Sequence, residues 1–367
     1  MSTDLEARLV ELLEERVGPA PVRDAGAALA RGRELRRRRH LRRVAVVGAV
    51  VVLAGAGVRT GLEAVEGRAL QDPVVLDHGL DLDGGLRAYG DPGVFLSLGG
   101  LRVPDEDLGR LDVEGAGSAL GVVYYDHGRP WLLGRDGGSR PLTTGDADPL
   151  PDTPAPGART DRDGVTVAYA TVSDGTATVE VRDLSSWEVL GRREVPCPEG
   201  DCAGLVVDAV DDGRVFLRVP GGAGVWDVAS GAWTAFDPAT RVADVRAGVV
   251  LHDGPASPAL EDLGLRQVAG PIDGQLTFDG AHVVSWSSRL EPTTPGGEPV
   301  ELDRGPVTTE DGLGFWTVDT DGSVLVAWTR EYPRFTVEDC DAVSGACERL
   351  GTMRVRGGDP QFLGNDM

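Results

Sequence analysis

Four cysteines are the side chains whose types and spacing point most directly to a chemistry. Cys197 and Cys202 stand together in PCPEGDC, and Cys340 and Cys347 in DCDAVSGAC. An even number of cysteines in close local pairs suits disulfide formation in an oxidising compartment. A zinc site would need four converging ligands, yet none of the five histidines, His40, His78, His127, His252 and His282, lies beside a cysteine. The sequence therefore predicts two local disulfides and no metal ligand set or cofactor.

The next candidates are carboxylates. Asp-x-Asp-Gly occurs at Asp81 to Gly84, Asp161 to Gly164 and Asp319 to Gly322. An EF-hand loop would continue to further ligands and a glutamate at its twelfth position, which none of the three supplies, so tight turns account for them better. Ser118 in GAGSALG lacks the glycine spacing of a nucleophile elbow and has no evident histidine partner. Ser173-Asp174-Gly175-Thr176 does not complete a sialidase-type aspartate box. No catalytic residue is named on these grounds. A pair of carboxylates acting on a cell-envelope polymer, as a hydrolase or lyase, is kept as the alternative, because in a chain this rich in acids any two can meet.

The elements that would position these residues are short strands. The 367 residues include 52 glycines and 24 prolines, with only 5% aromatic residues, a composition suited to many turns and hostile to a helical bundle. A phrase recurs: Asp-Gly, an apolar strand, a second strand, an Asp-containing turn and a third strand. It is clearest from Asp163-Gly164 (VTVAYA, then TVEVRDLSSWEVLGRREV), from Asp212-Gly213 (RVFLRV, then GVWDVASGAWTAF) and from Asp321-Gly322 (SVLVAW, then FTVEDCDAVSGACERL). Weaker copies begin at Gly121, Gly248 and Asp279, after an opening fragment at Asp83 with strands near Val94 to Ser97. Repeats of roughly 35 to 50 residues that cannot bury both faces alone are expected to close a ring.

These phrases resemble the WD40-like and TolB-like propeller repeats, over about Asp83 to Leu350. The Trp-Asp signature of true WD40 proteins occurs only at Trp226-Asp227. The resemblance implies an all-β fold, a β-propeller of six or seven blades, and says almost nothing of function. Tyr169, Trp286, Trp316 and Trp328 end strands and are expected to pack between blades.

The first 74 residues read differently. Thr3 and Glu6 have capping-box spacing, and Leu5, Leu9, Leu12 and Leu13 recur on one helical face until Gly18-Pro19-Ala20-Pro21 stops the helix. Arg36, Arg37, Arg38, Arg39, Arg42 and Arg43 then abut an apolar run from Val44 to Val58. That run alone makes about 22 Å of helix, and flanking residues whose arginines snorkel extend it toward a bilayer's span. The sequence thus predicts a cytoplasmic helical, Arg-rich segment over 1–43, a transmembrane signal anchor over 44–60, a linker over 61–74 and an exterior propeller over 75–367, oriented by the arginines. A cleaved signal peptide ending near Ala54-Gly55-Ala56 is the competing reading. The layout of the first 58 residues resembles that of actinobacterial membrane proteins associated with extracytoplasmic-function sigma factors. That resemblance implies a cytoplasmic protein partner for Leu5, Leu9, Leu12 and Leu13, although the zinc-binding set of the common anti-sigma domain is missing.

Charge is divided along the same boundary. Residues 1–43 carry eleven Arg against seven acids, whereas from Thr60 onward 24 Arg face 52 acids, within a total of -23. An exterior domain so acidic repels nucleic acid and anionic lipid. The expected partners are the bilayer, through one helix, and an exterior protein or cell-wall ligand. The expected role is a non-catalytic binding or sensing module.

Overall fold

A computed structural model describes residues 85–91, 95–99, 101–104, 115–126, 128–143, 157–162, 164–173, 175–197, 202, 204–285, 289–303, 313–354 and 361–362. The cytoplasmic helix, its leucines, the arginine run, the membrane anchor and the linker all lie outside the described residues. So does Trp286. Among the described residues no helix is long and apolar enough to cross a membrane.

The described strands form seven sheets, six of four strands and one of three. Each is a blade, antiparallel throughout except for one strand of blade 5 and built of successive strands except in blade 1. Blade 2 spans residues 116–141, blade 3 158–196, blade 4 206–236, blade 5 241–269, blade 6 275–301 and blade 7 313–354. Blade 1 combines Tyr89–Asp91, Phe95–Leu98 and Leu101–Pro104 with Gln361–Phe362 from the other end of the chain, which pairs with Tyr89 and Gly90. The last strand thereby becomes the innermost strand of the first blade, and the ring is closed by backbone hydrogen bonds.

Seven apolar clusters hold the ring, one at each blade junction. Leu86, Leu98, Val122 and Leu133 fill the junction of blades 1 and 2. Val123, Leu132, Val167 and Tyr169 fill that of blades 2 and 3, and Val179, Val181, Val207 and Leu217 that of 3 and 4. Phe216, Val225, Val245 and Leu260 follow between 4 and 5. Leu251, Leu276 and Val283 lie between 5 and 6, Val284, Trp316 and Val326 between 6 and 7, and Phe315, Phe335 and Phe362 between 7 and 1. This packing explains the sequence pattern. A middle strand is covered by blades on both sides, so Thr166 to Ala170 is buried at every position, whereas the outer strand Val189–Pro196 alternates with one face in water.

Blade 5 departs from the repeat. Its third strand, Arg266–Ala269, runs parallel to Val249–Asp253, and the crossover carries a short helix α1, Pro258–Asp262. Proline at the first helical turn and Gly264 at φ +76° after the end explain where this helix starts and stops. The weak copy from Gly248 is therefore not a third repeat hairpin.

Three outer turns share one geometry. In Asp227 to Ala232 and in Asp341 to Ala346, the aspartate Oδ1 accepts the backbone N–H of Ser230 or Ser344, and a glycine follows at φ 72° or 73°. Asp183 to Glu188 repeats the pattern with Ser186, but Trp187 takes the glycine's place at φ 58°. A bulky side chain in the left-handed region is strained by about 1 to 2 kcal/mol. Trp187 offsets this by packing on the cluster between blades 2 and 3, while its carbonyl accepts an N–H of Arg182 at 2.7 Å.

Candidate functional site

The inner strands end in tight turns grouped around the mouth of the central channel. Their carboxylates reach from one blade to the next. Asp161, closing the inner strand of blade 3, accepts the N–H of Asp212 in blade 4 at 3.0 Å. Asp211 in turn accepts from Ala247 and Gly248 of blade 5 at 3.3 and 3.0 Å. Asp319 of blade 7 accepts from Leu86 and Arg87 of blade 1 at 2.9 and 2.7 Å. Each carboxylate meets a turn that contains a non-glycine residue in the left-handed region: Asp212 at φ 50°, Ala247 at φ 52° and Arg87 at φ 50°. Such turns leave N–H groups without a strand partner, and a buried carboxylate satisfies them.

Other groups complete the circuit. Ala119 of blade 2 donates to the Gly164 carbonyl of blade 3 at 2.7 Å. Asp244 of blade 5 accepts the Leu276 N–H of blade 6 at 2.9 Å, and Gln275 of blade 6 accepts the Val318 N–H of blade 7 at 2.7 Å. From blade 2 round to blade 1, each junction carries a side-chain or backbone hydrogen bond beside its apolar cluster. The Asp-x-Asp-Gly turns at Asp161 and Asp319 are thus positioned to join blades.

Burial sets the electrostatics of these groups. Asp319 is pushed up to about 6, because desolvation outweighs the three backbone N–H donors around it, and the neighbouring Asp321 charge adds to the rise. Asp208, on the inner strand of blade 4, is also raised by burial although Arg218 contacts it at 2.8 Å. Glu180 behaves oppositely: burial alone would raise it, but hydrogen bonds from the Tyr169 hydroxyl, Arg192 and Arg182 hold it below the ordinary carboxylate range. The Tyr169 hydroxyl is held above its ordinary value by burial and by that same carboxylate.

Two arginines narrow the channel. Arg159 donates to the Asp208 carbonyl at 3.0 Å, and Arg246 donates to the Thr160 carbonyl at 2.9 Å while lying 5.4 Å from the Phe278 ring centre. The space left between them, also lined by Asp161, Gln275, Asp319 and Thr320, is about 40 Å³. That is room for water, far below the several hundred Å³ of ordinary ligand sites. On the same side of the ring, a cleft of about 220 Å³ opens at blades 4 and 5, bordered by Arg162, Asp211, Asp212 and Arg214 over Phe216, Val245 and Leu265.

The remaining candidates are committed to structure. Cys197 and Cys202 form a disulfide with Cα atoms 4.7 Å apart, beside the cluster between blades 3 and 4. Cys340 and Cys347 form a second, with Cα atoms 4.0 Å apart, directly opposite one another on paired strands of blade 7. Ser118 is buried, its hydroxyl donating to the Gly121 carbonyl at 2.7 Å. Tyr169 and Trp316 are buried between blades, and the Trp328 indole N–H donates to Glu338 at 3.0 Å. Among the described residues no group of three or more His, Cys, Asp or Glu side chains is arranged to hold a metal ion. The linking roles of Asp211 and Asp244, and the arginines of the channel and cleft, were not evident from the sequence. The Asp212-Gly213 phrase marked the turn but not Asp211 beside it, and the partner of the Asp211 carboxylate is set by the neighbouring blade.

No family model matches this chain, and no curated protein matches it. Among solved structures it is similar to TolB from Acinetobacter baumannii, at 14% identity and a TM-score of 0.36, over 74% of this chain and 65% of that one. The likeness therefore spans just under two thirds of that TolB. A chain reported as TolB from Agrobacterium tumefaciens is similar at 12% identity and a TM-score of 0.30, over 67% of this chain and 81% of that one. The protein lmo1340 from Listeria monocytogenes is similar at 8% identity and a TM-score of 0.29. At these values the likenesses bring neither a site nor a function with them, and the propeller rests on the strand pairing and junction packing of the chain itself.

Proposed function

We propose that this chain is a membrane-tethered propeller that recognises a ligand outside the cytoplasm through the turn face, without catalysing a reaction there. The observation that carries the reading is the commitment of that face's buried carboxylates. Asp161, Asp211 and Asp319 each hold the backbone of the next blade, so none is poised as a general acid or base. A hydrolase or lyase working in the channel would need two carboxylates facing a bound sugar or peptide. Asp161 and Asp319 do border one cavity, but each carboxylate is taken up by backbone N–H groups of the neighbouring blade. The open cleft beside it, with charges of both signs, suits recognition.

The tether and the compartment are supported by the sequence, through the arginines ahead of Val44, and by the paired cysteines of the propeller, which suit an oxidising exterior. Signal transfer to a cytoplasmic partner through Leu5, Leu9, Leu12 and Leu13 belongs to the same proposal. Reporter fusions test the arrangement. A fusion after Met367 is expected to read exterior and one at Met1 cytoplasmic; a cytoplasmic carboxyl terminus would sink both the tether and the exterior recognition reading.

A further inference from the structure

We propose that the cleft at blades 4 and 5 binds a small zwitterion of the free amino-acid type, one carboxylate and one ammonium on a short frame. The inference rests on reading the turn face as a recognition surface and names the ligand class for it. The border of the cleft carries two cations, Arg162 and Arg214, and two anions, Asp211 and Asp212. Their commitments differ. Asp211 is 4% exposed and already accepts the N–H groups of Ala247 and Gly248, so it is a fixed charge of the wall.

Arg162 is the closest cation to that charge, but at 3.7 Å the contact is an ion pair beyond hydrogen-bond reach. Its guanidinium, with a side chain 42% exposed, retains donors for an incoming acceptor. Arg214 gives one N–H to the Leu263 carbonyl at 3.2 Å, which anchors the side chain and leaves further donors of its planar fork. The Asp212 side chain is exposed and has no partner among the described residues, while its backbone N–H is held by Asp161. The cleft therefore offers guanidinium donors for a carboxylate and a carboxylate for an ammonium group, over a floor in which Phe216 is wholly buried and Leu265 is 6% exposed.

The surrounding field selects between ligand classes. A domain with 52 acids against 24 arginines beyond Thr60 repels a simple anion. A simple cation would be drawn to the domain but would meet two arginines at this cleft. A molecule with both charges is neutral toward the domain and complementary to the cleft. The volume of about 220 Å³ is at the small end for a ligand site and suits one small molecule.

The test uses the full-length chain in detergent, titrated by calorimetry with three matched probes: L-leucine, 4-methylpentanoate, which lacks the ammonium group, and 3-methylbutylamine, which lacks the carboxylate. Leucine is expected to bind, and each half-molecule to bind about ten- to a hundredfold more weakly, the loss expected for one charged hydrogen-bonding group. Arg162→Ala and Asp212→Asn are each expected to weaken leucine by at least about tenfold, and Asp212→Asn, at an exposed side chain, to leave the unliganded unfolding midpoint in place. Absence of leucine binding, equal binding of either half-molecule, or full affinity in Asp212→Asn would each overturn the ligand class and leave the recognition reading standing. Leucine bound but recovered chemically changed, by mass spectrometry, would instead support the site and overturn the non-catalytic reading.

Discussion

Trp187 occupies a turn position where two counterparts in the same chain use Gly231 and Gly345. The side chain therefore contributes packing while the backbone bears strain, and the two effects are separable. Trp187→Ala removes the packing and keeps the strain; Trp187→Gly removes both. In urea unfolding the glycine variant is expected to be the more stable of the two by about 1 kcal/mol. Equal stability, or the reverse order, would show that the left-handed conformation is not costly there. At the same scale, Asp319 supplies a pH dependence with a definite sign. Its carboxyl rises from 3.8 to about 6 on folding, so the folded chain holds the proton more tightly than the unfolded chain. Its contribution to stability is present in full below about pH 4 and is lost as pH rises through about 6. Relative to Asp319→Asn, which cannot ionise, the unmodified chain is expected to lose midpoint between pH 4 and 7. A relative gain over that range would mean that the N–H groups of Leu86 and Arg87, not burial, dominate the carboxylate.

Hairpins were the part of the fold most legible in the sequence. DCDAVSGAC contains an Asp-x-x-Ser-Gly turn, and the turn fixes which residues face each other, so the pairing of Cys340 with Cys347 could be read directly. The middle strands were legible too, as runs such as VTVAYA. Two elements were not. Gln361–Phe362 is too short to show any periodicity, and its role comes from where the chain ends in space. The parallel strand of blade 5 was hidden because PALEDLGL reads equally as a weak strand region or a short helix, and tertiary packing of Leu260 decided it. Of the candidate site, the Asp-Gly turns were visible, but the N–H donors their carboxylates serve lie on another blade, 51 residues on for Asp161 and more than 230 residues back for Asp319, beyond local pattern. Because the Cys340–Cys347 loop is small, its disulfide is worth about 2 to 3 kcal/mol on the loop-closure argument. Replacing both cysteines by serine is expected to lower the melting midpoint without preventing folding, as followed by circular dichroism. An unchanged midpoint would mean that the hairpin is held by its hydrogen bonds and by the neighbouring Glu301 and Asp303 alone.

At the scale of the whole molecule, seven blades are joined by apolar junctions and by a circuit of hydrogen bonds that uses up the buried carboxylates of the turn face. The last strand closes the ring on blade 1 by backbone pairing with Tyr89 and Gly90. The excess of acids beyond Thr60 is the basis on which we propose that nucleic acid and anionic lipid are not partners, and the cleft with charges of both signs is the feature of that face on which the recognition reading rests. Hydrogen exchange of the full-length chain, with and without a cell-envelope extract, addresses the recognition reading most directly. The account expects slowed exchange in the turns at residues 161–164, 211–214 and 246–248, with the outer strands unchanged. Protection confined to outer strands such as Val189–Pro196, or no protection anywhere in the propeller, would contradict it.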